Sequence, residues 1–538
     1  MAKIDLIINN GFKWFNKDNV FVKGFLFDSN NEYFEKEKLV SYFENVKTKE
    51  DLLNKISNAN GLLTACIKLS ENEILIANDI IRAFPLFYTN QNNILHISDS
   101  VSEILKSIKE PLLSPLSKNE LLASSFVTGS NTLVKSISVT QSGQITEFNN
   151  SEISSEFYFN YYTSEENLAS YETQRNQLQS NLDKTSERLV ESLDGRKAII
   201  PLSGGFDSRY IACKLKELGY TNVFCFSYGK LNNNQERVTS QKVAKELGFD
   251  WEFIEYNEKT VGNYIKDEEF TAFCEQFSQF STTPMFHDYF ALKHFKKNKI
   301  ISDNSVFIPG HSGDFLGGSQ LYKNGNIKKE ASLKKIAKSI IKERFLLTKL
   351  SSESEKEIIS KIYSQLLQES KKDKSAYAYS IFEDWEIKEN LSKYIANSAH
   401  IYDFFGYEYR LPFWDNELVN YCKTIPYKYK FGKILYDEVL RSTFKKFDVD
   451  FDEGKLLSPK EFKNYQIRKK IKTLIPNKIL KKINPETDPL NYDFAQSAMK
   501  EELKKNKNFS ENKLNSGNSI FTYWYINEIE KVLKSNKK

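Results

Sequence analysis

Short apolar runs at 3–8, 20–26, 62–69, 73–78, 86–89 and 94–98, each punctuated by Asn, Asp or Gly, predict strands. Helical spacing of apolar positions near 101–108 and 118–125 predicts two helices within this β-heavy half. The stretch 136–148 predicts further strand, broken by a turn at Ser142 and Gly143. Together these runs predict a layered α/β domain over residues 1–165. A polar segment at 162–175 reads as a linker, after which Leu178, Leu182, Leu189 and Leu193 recur at helical spacing and predict a long helix.

From there the pattern changes. An apolar strand at 197–202 is followed by a helix at 207–218, which carries Ile211, Leu215 and Leu218 on one face and stops at Gly219. A strand at 223–226, a helix at 235–247 ending at Gly248 and a strand at 251–254 repeat the unit. Strands alternating with helices of that length predict βαβ units and a doubly wound parallel sheet, so the fold class expected is α/β, with this second domain over 175–445. Beyond Gly318 amphipathic stretches at 333–350, 355–367 and 384–397 make the chain mainly helical. Basic runs at 468–472 and 478–482 fall in a helical extension over 446–538. Without interleaved aromatics they read as solvated helix faces rather than a nucleic-acid surface.

Composition narrows the classes. With 40% hydrophobic and 27% charged residues over 538, the chain is globular rather than disordered. Lys and Arg number 76 against 71 Asp and Glu, a net +5 that gives no overall argument for nucleic acid. Five scattered cysteines without a C-x-x-C pair disfavour a disulfide framework and a zinc site and point to a reducing cytoplasm. Residues 1–15 carry no apolar h-region, and nowhere do 18 apolar residues run together. The expectation is a protein neither exported nor inserted in a membrane.

The chemistry concentrates in Pro201-Leu202-Ser203-Gly204-Gly205-Phe206-Asp207-Ser208, where the first parallel strand gives way to its helix, the position at which open α/β sheets bind ligands. Gly204 and Gly205 are expected to take turn conformations closed to other residues, so that successive N–H groups converge on an anion while Ser203 and Ser208 add hydroxyls. The helix beginning near Asp207 adds its positive end. A phosphate fits there, and Asp207 would repel it unless Mg²⁺ lay between them.

No Gly-Lys-Ser/Thr follows, so this is not a Walker A loop. The pattern S-G-G-x-D-S resembles the pyrophosphate-binding loop of the N-type ATP pyrophosphatases, and further segments are similar to the asparagine synthetases within that superfamily. Pro309-Gly310-His311-Ser312-Gly313-Asp314-Phe315-Leu316-Gly317-Gly318 resembles their second glycine-rich loop, and Glu408-Tyr409-Arg410-Leu411-Pro412-Phe413-Trp414-Asp415 resembles their E-x-R-x-P-F-x-D segment. Asp79 with Pro85-Leu86-Phe87-Tyr88, then Ile97-Ser98-Asp99-Ser100, Thr132-Leu133 and Gly143, is similar to their glutaminase-type domain, a four-layered Ntn-hydrolase fold. The resemblance covers roughly residues 1–445.

Three departures qualify what it implies. Residue 2 is Ala2 where glutamine-hydrolysing members have a nucleophilic cysteine, and the nearest cysteine, Cys66, lies inside a predicted strand, so glutaminase activity is not expected. Either His311 replaces a glutamate that the family carries or the loop is one residue shorter; general base and plain hydrogen-bonding residue are equal readings of His311. The family lysine four before Arg441 is replaced by Asp437, leaving Lys433, one helical turn earlier, as the substitute, or as a surface lysine beside Lys428 and Lys430.

The activity implied by the resemblance is ATP-dependent formation of an amide. A small-molecule carboxylate is activated as an acyl adenylate and transferred to an amine or ammonia, with ATP and Mg²⁺ as cofactors. The resemblance assigns catalysis to Lys433, His311 and Asp314. It assigns ATP binding to Leu202, Ser203, Gly204, Gly205, Asp207, Ser208, Tyr228 and Gly310, with main-chain groups at Leu202, Ser227 and Tyr228 near the base, and metal to Asp207 and Asp314. The role of Glu236, where amino-acid-using relatives have an aspartate, stays open. Aspartate, a uronic acid in polysaccharide, a tRNA-modifying reaction and a catalytically impaired scaffold stay open as alternatives; a homodimer stays open, and no nucleic acid or membrane partner is expected.

Overall fold

The computed structural model describes residues 2–150, 152–323, 329–370, 375–451, 490–506 and 518–536, with Ile327, Asp488, Phe509, Ser510 and Leu514 between them. Among the described residues three sheets form, of four, seven and five strands. The basic runs at 468–472 and 478–482 lie outside the described residues.

In the first 157 residues period-2 alternation builds two stacked sheets. Along the strands Asn60–Ser70 and Glu73–Asn78, Leu63, Ala65, Ile67, Leu75 and Ala77 face one side and Cys66, Ile74 and Ile76 the other. The first side packs on the helices Lys36–Phe43 and Lys49–Ser57 through Leu39, Phe43, Leu52 and Ile56. The second packs on Tyr88, Leu95 and Ile97 of the four-stranded sheet. Phe87, next to Tyr88, points away from that interface towards the helix Val101–Lys106. The order is therefore helices, sheet, sheet, helices. The sequence reading missed the two helices at 36–57: each is under ten residues, so Leu39, Val40 and Phe43, and Leu52 and Ile56, make a stripe of about two turns, although Thr48 and Asp51 form a capping box that marks the start of the second.

The parallel sheet runs Asp250–Glu255, Val223–Gly229, Ala198–Pro201, Val306–Phe307, Glu408–Tyr409, with every neighbouring pair parallel. The helices Phe206–Glu217 and Gln235–Leu247 connect the first three strands in chain order, as their spacing predicts. The chain then returns through the helix Tyr289–Asn298 to lay Val306–Phe307 on the other side of Ala198–Pro201. Strand order thus reverses between Ala198–Pro201 and Val306–Phe307, and a crevice opens beyond their carboxyl ends.

Two expectations need correction. The segment 162–175 is not a free linker. Ser170 caps a helix running Tyr171–Leu193, and the residues before it are tied down by the Tyr161 N–H on Asp384 (2.6 Å) and the Thr163 N–H on Ser380 (3.0 Å). The helix expected at 384–397 begins earlier, at Ala378, and passes at Ile387 into a π-helix ending at Ile395. Glu389 and Lys393 in that π-helix bond the Gly129 N–H and the Val127 and Gly129 carbonyls, so tertiary contacts outweigh the usual helical register there.

The layered unit and the parallel-sheet unit share one core. Phe12 packs edge-on to Phe84 and Tyr409 at 4.9 and 5.1 Å, and its N–H donates to Asp403 at 2.7 Å. Near the other end, the helix Ser519–Ser535 lies against the helix Pro115–Ser124, where Lys118 meets Glu530 at 2.5 Å. All five cysteines are buried and unbonded, and no described helix is long and apolar enough to cross a membrane.

Candidate active site

The crevice at the strand-order reversal is a cleft of about 630 Å³. Its first wall is the turn after Ala198–Pro201. Gly205 precedes the helix Phe206–Glu217 with no side chain capping it, so the helix presents its first N–H groups uncapped by any side chain. The Ser203 and Ser208 hydroxyls lie 3.1 Å apart, and the Ser203 hydroxyl accepts the Gly205 N–H at 3.1 Å. The expected special backbone conformations of Gly204 and Gly205 do not occur. Gly205 has φ −74°, and Gly204 is not among the positive-φ glycines. A Cβ on Gly204 would sit 3.6 Å from Glu236 Cα and Thr239 Cβ, an ordinary contact distance, so the approach of the second helix does not require glycine there. Arg209, fully buried among the rings of Phe206, Phe444 and Phe451, donates to the Gly204 carbonyl at 2.8 Å and turns it away from the cleft.

The opposite wall is the second glycine loop, which follows Val306–Phe307. Here glycine is a steric necessity. A Cβ on Gly310 would lie 2.6 Å from the Ser208 nitrogen, and one on Gly313 would lie 2.4 Å from Tyr436 Oη and 2.6 Å from Asp207 Cγ. This closeness brings the two acids together: the Asp314 N–H donates to Asp207 Oδ2 at 2.8 Å, while Tyr436 donates to Asp207 Oδ1 at 2.9 Å. Burial, and next the Asp314 charge, push the Asp207 carboxyl up to about 7. A pair of carboxylates that repel each other beside an uncapped helix start is a donor set that suits Mg²⁺, which takes one or two carboxylates and completes its shell with other oxygens and water.

Lys433 reaches the same cleft from the start of the helix Ile434–Lys445, paired with Asp437 at 3.0 Å. Its neighbour Lys430 is no surface lysine. It is fully buried against Glu383 at 2.7 Å, and Glu383 is equally buried. That pair fixes the turn from which Lys433 projects.

Tyr228, Asp288, Tyr402 and His311 also line the cleft. Tyr402 donates to Asp288 Oδ2. Burial, and next the neighbouring His287, push the His311 imidazole down to about 4, so it is neutral at pH 7. Its Nε2 lies 3.4 Å from Ser398 Oγ, and its buried Nδ1 has no hydrogen-bond partner among the described residues.

Of the residues expected at the site, Ser203, Gly204, Gly205, Asp207, Ser208, Tyr228, Gly310, His311, Asp314 and Lys433 all line this cleft. Leu202 does not. Its side chain is fully buried and its N–H is spent on the Phe226 carbonyl at 2.8 Å in the strand ladder. Glu236 stands behind Gly204, its carboxyl pushed up by burial. The E-x-R-x-P-F-x-D segment lies away from the cleft: Arg410 bonds Glu408 at 2.9 Å, and Asp415 pairs with Arg188 at 2.7 Å while capping the helix Asn416–Thr424. Sequence reasoning passed over Arg209, Asp288, Tyr402 and Tyr436. None of the four carried a local signal: Arg209 falls opposite the face of Ile211, Leu215 and Leu218 and reads as a solvated charge.

The family model described as asparagine synthase matches residues 187–482, just over half of the chain. The microcin J25-processing protein McjC of Escherichia coli is 24% identical over 284 residues, and the chain spans about half (48%) of that relative's length. Among solved structures, an NH3-dependent NAD synthetase from Campylobacter jejuni is similar at 17% identity and a TM-score of 0.19, over 28% of this chain and 61% of that one. An NMN synthetase from Francisella tularensis is similar at 15% identity and a TM-score of 0.18, over 28% and 59%.

Proposed function

The chain belongs to the asparagine synthase family, and from that membership and the chemistry of its cleft we propose that it is an ATP-dependent ligase that makes an amide through an acyl adenylate. The observation that carries this reading is the meeting of Asp207 and Asp314, Asp314 N–H to Asp207 Oδ2 at 2.8 Å, over an uncapped helix start at the switch point of a parallel sheet.

In the first step a carboxylate oxygen of the acceptor attacks the α-phosphorus of ATP. The bond to the bridging oxygen breaks, and pyrophosphate leaves with that oxygen. The turn Ser203–Ser208 holds the departing phosphates with its hydroxyls and helix-end N–H groups. Asp207 and Asp314 would hold Mg²⁺, which supplies charge neutralisation for the phosphates when bound. Lys433, kept in place by Asp437, supports the charge building on the α-phosphate and then on the tetrahedral oxyanion. In the second step an amine nitrogen attacks the acyl carbon, and AMP leaves with the carboxyl oxygen that had joined it. The proton that the amine loses passes to water or to His311, a neutral but weak base because burial holds its imidazole at about 4. Tyr436 and the Asp314 N–H orient the Asp207 carboxylate without touching substrate.

The acceptor follows from chemistry rather than from a known substrate: it carries a free carboxylate and meets a cleft ringed by Lys433 and the helix start. Aspartate, a uronic acid and a peptide carboxylate are the acceptors to compare, the last because the curated relative is named for processing a microcin. ATP–pyrophosphate exchange across that panel tests the reading, with Asp207→Asn as control. Exchange that depends on one acid and disappears in the variant supports it. Nucleotide binding without exchange on any acid would leave a scaffold instead.

A further inference from the structure

Asp288 is a carboxyl group placed where the proposed reaction assigns it nothing. It stands just before the helix Tyr289–Asn298 and lines the cleft. Tyr402 donates to its Oδ2, and Tyr228 also hydrogen-bonds its side chain. Both phenols are themselves fixed. Tyr228 stacks on Tyr256 at 4.8 Å and 11°, and Tyr402 stacks on Phe307 at 4.4 Å and 14°. Burial raises the Asp288 carboxyl, while the two tyrosines act against that rise and favour its charged, acceptor-only form. Of the roughly four acceptor positions on a carboxylate, two are taken by the phenols, leaving two directed elsewhere.

Asp207 has Asp314 beside it to share a cation that would bridge to phosphate, whereas the side chains acting on Asp288 are the two tyrosines, so like charge disfavours the triphosphate and the acceptor acid around Asp288. What remains are ligand groups that donate N–H. Tyr228 lies at the carboxyl end of Val223–Gly229, beside the strand whose end carries the phosphate turn. A nucleotide gripped by its phosphates at Ser203–Ser208 and lying across the strand ends brings its base to Tyr228 and Asp288. We propose that Asp288, held between Tyr228 and Tyr402, accepts the 6-amino group of the purine and makes the cleft selective for adenine over bases with a 6-carbonyl. A carbonyl there would face the carboxylate acceptor to acceptor, and such a base would have to shift from adenine's position to offer its N1–H instead. This inference rests on the ATP reading above and assigns its base specificity.

Equilibrium binding by the full-length protein, by calorimetry with Mg²⁺ present, tests it with ATP, ITP and 2′-deoxyATP as probes. The wild type is expected to bind ATP about 10- to 100-fold more tightly than ITP. Asp288→Asn, equal in volume, can turn its NH₂ towards a 6-carbonyl and is expected to bring the ratio close to one or below, by weakening ATP and strengthening ITP. Tyr402→Phe, which removes one phenol from the carboxylate, is expected to narrow the ratio less. Equal binding of ATP and ITP by the wild type overturns the proposal, as does an Asp288→Asn variant that weakens both nucleotides alike. A penalty on 2′-deoxyATP that Asp288→Asn abolishes would move the carboxylate to the ribose. An unchanged ATP:ITP ratio with a raised KM for the amine would move it to the nucleophile. If the wild type binds no nucleotide, the ligase reading fails with it; if it binds ATP and ITP equally while Asp207→Asn still abolishes exchange, only the base assignment fails.

Discussion

At the scale of single residues, the cleft works by setting groups of like charge against one another and supplying donors that hold them there. Asp207 is the sharpest case, with Asp314 as its neighbour and Tyr436 as a donor on its other oxygen. Asp207→Asn is expected to lower ATP–pyrophosphate exchange by about 10²- to 10³-fold while leaving the far-UV circular dichroism unchanged. Tyr436→Phe removes only the donor, so its loss is expected near tenfold, with the Mg²⁺ dependence of exchange shifted to higher concentration; an unchanged Mg²⁺ dependence would deny Tyr436 its positioning role. The first of these residues was legible in the sequence and the second was not. Asp207 lies inside a six-residue pattern at a strand–helix junction, whereas Tyr436 reads as one more apolar position beside Leu435, Val439 and Leu440.

At the scale of elements, the site is two loops pressed together so closely that glycine is needed at the contact. Gly313 leaves room for Tyr436 Oη and the Asp207 carboxyl, and a methyl group there would overlap both. Gly313→Ala is expected to cost about 1–3 kcal/mol of stability in a denaturant titration and to reduce exchange more than its stability loss explains, because it separates the two carboxylates. Gly205→Ala, whose Cβ would press on Ser203 Oγ at 3.1 Å and asks only a side-chain hydroxyl to yield, is expected to cost less stability than Gly313→Ala. The strand–turn–helix units were readable because their periods, turn residues and stops are local. The π-helix Ile387–Ile395 was not, because what holds it is the fit of Glu389 and Lys393 to carbonyl and amide groups around Gly129, some 260 residues away in the chain.

At the scale of the molecule, the layered unit and the parallel-sheet unit are expected to unfold in one transition, since Phe12, Phe84 and Tyr409 belong to one core. Gly11 passes directly over the backbone of Tyr407, and a Cβ there would lie 2.2 Å from the Tyr407 carbonyl oxygen. Gly11→Ala is therefore expected to lower the Tm of the whole protein, and a second transition in calorimetry would show the units to be independent. His400 crosses the same boundary with its Nε2 2.6 Å from the Ala83 carbonyl oxygen, and burial pushes its imidazole down to about 4. The unfolded imidazole binds its proton near pH 6.5, so between about pH 6.5 and 4 the unfolded chain holds more protons than the folded one. Stability must therefore fall as the pH falls through that window. His400→Gln keeps a donor for Ala83 without the titration and is expected to remove about 1–3 kcal/mol of that acid loss, read from urea unfolding at pH 7 and pH 4.5. Local order along the chain determined most of the strands and helices of the parallel-sheet unit and where its first glycine turn lies, because hydrophobic period and turn chemistry act over a few residues, while Asp314 and Lys433 were picked out by resemblance to a family and not by local pattern. Only the tertiary structure decided that Asp288 meets Tyr228 and Tyr402, that Arg209 turns a carbonyl out of the cleft, and that the E-x-R-x-P-F-x-D segment braces the interior. Those contacts depend on strand order and packing between residues far apart in the chain, and no short-range pattern encodes them.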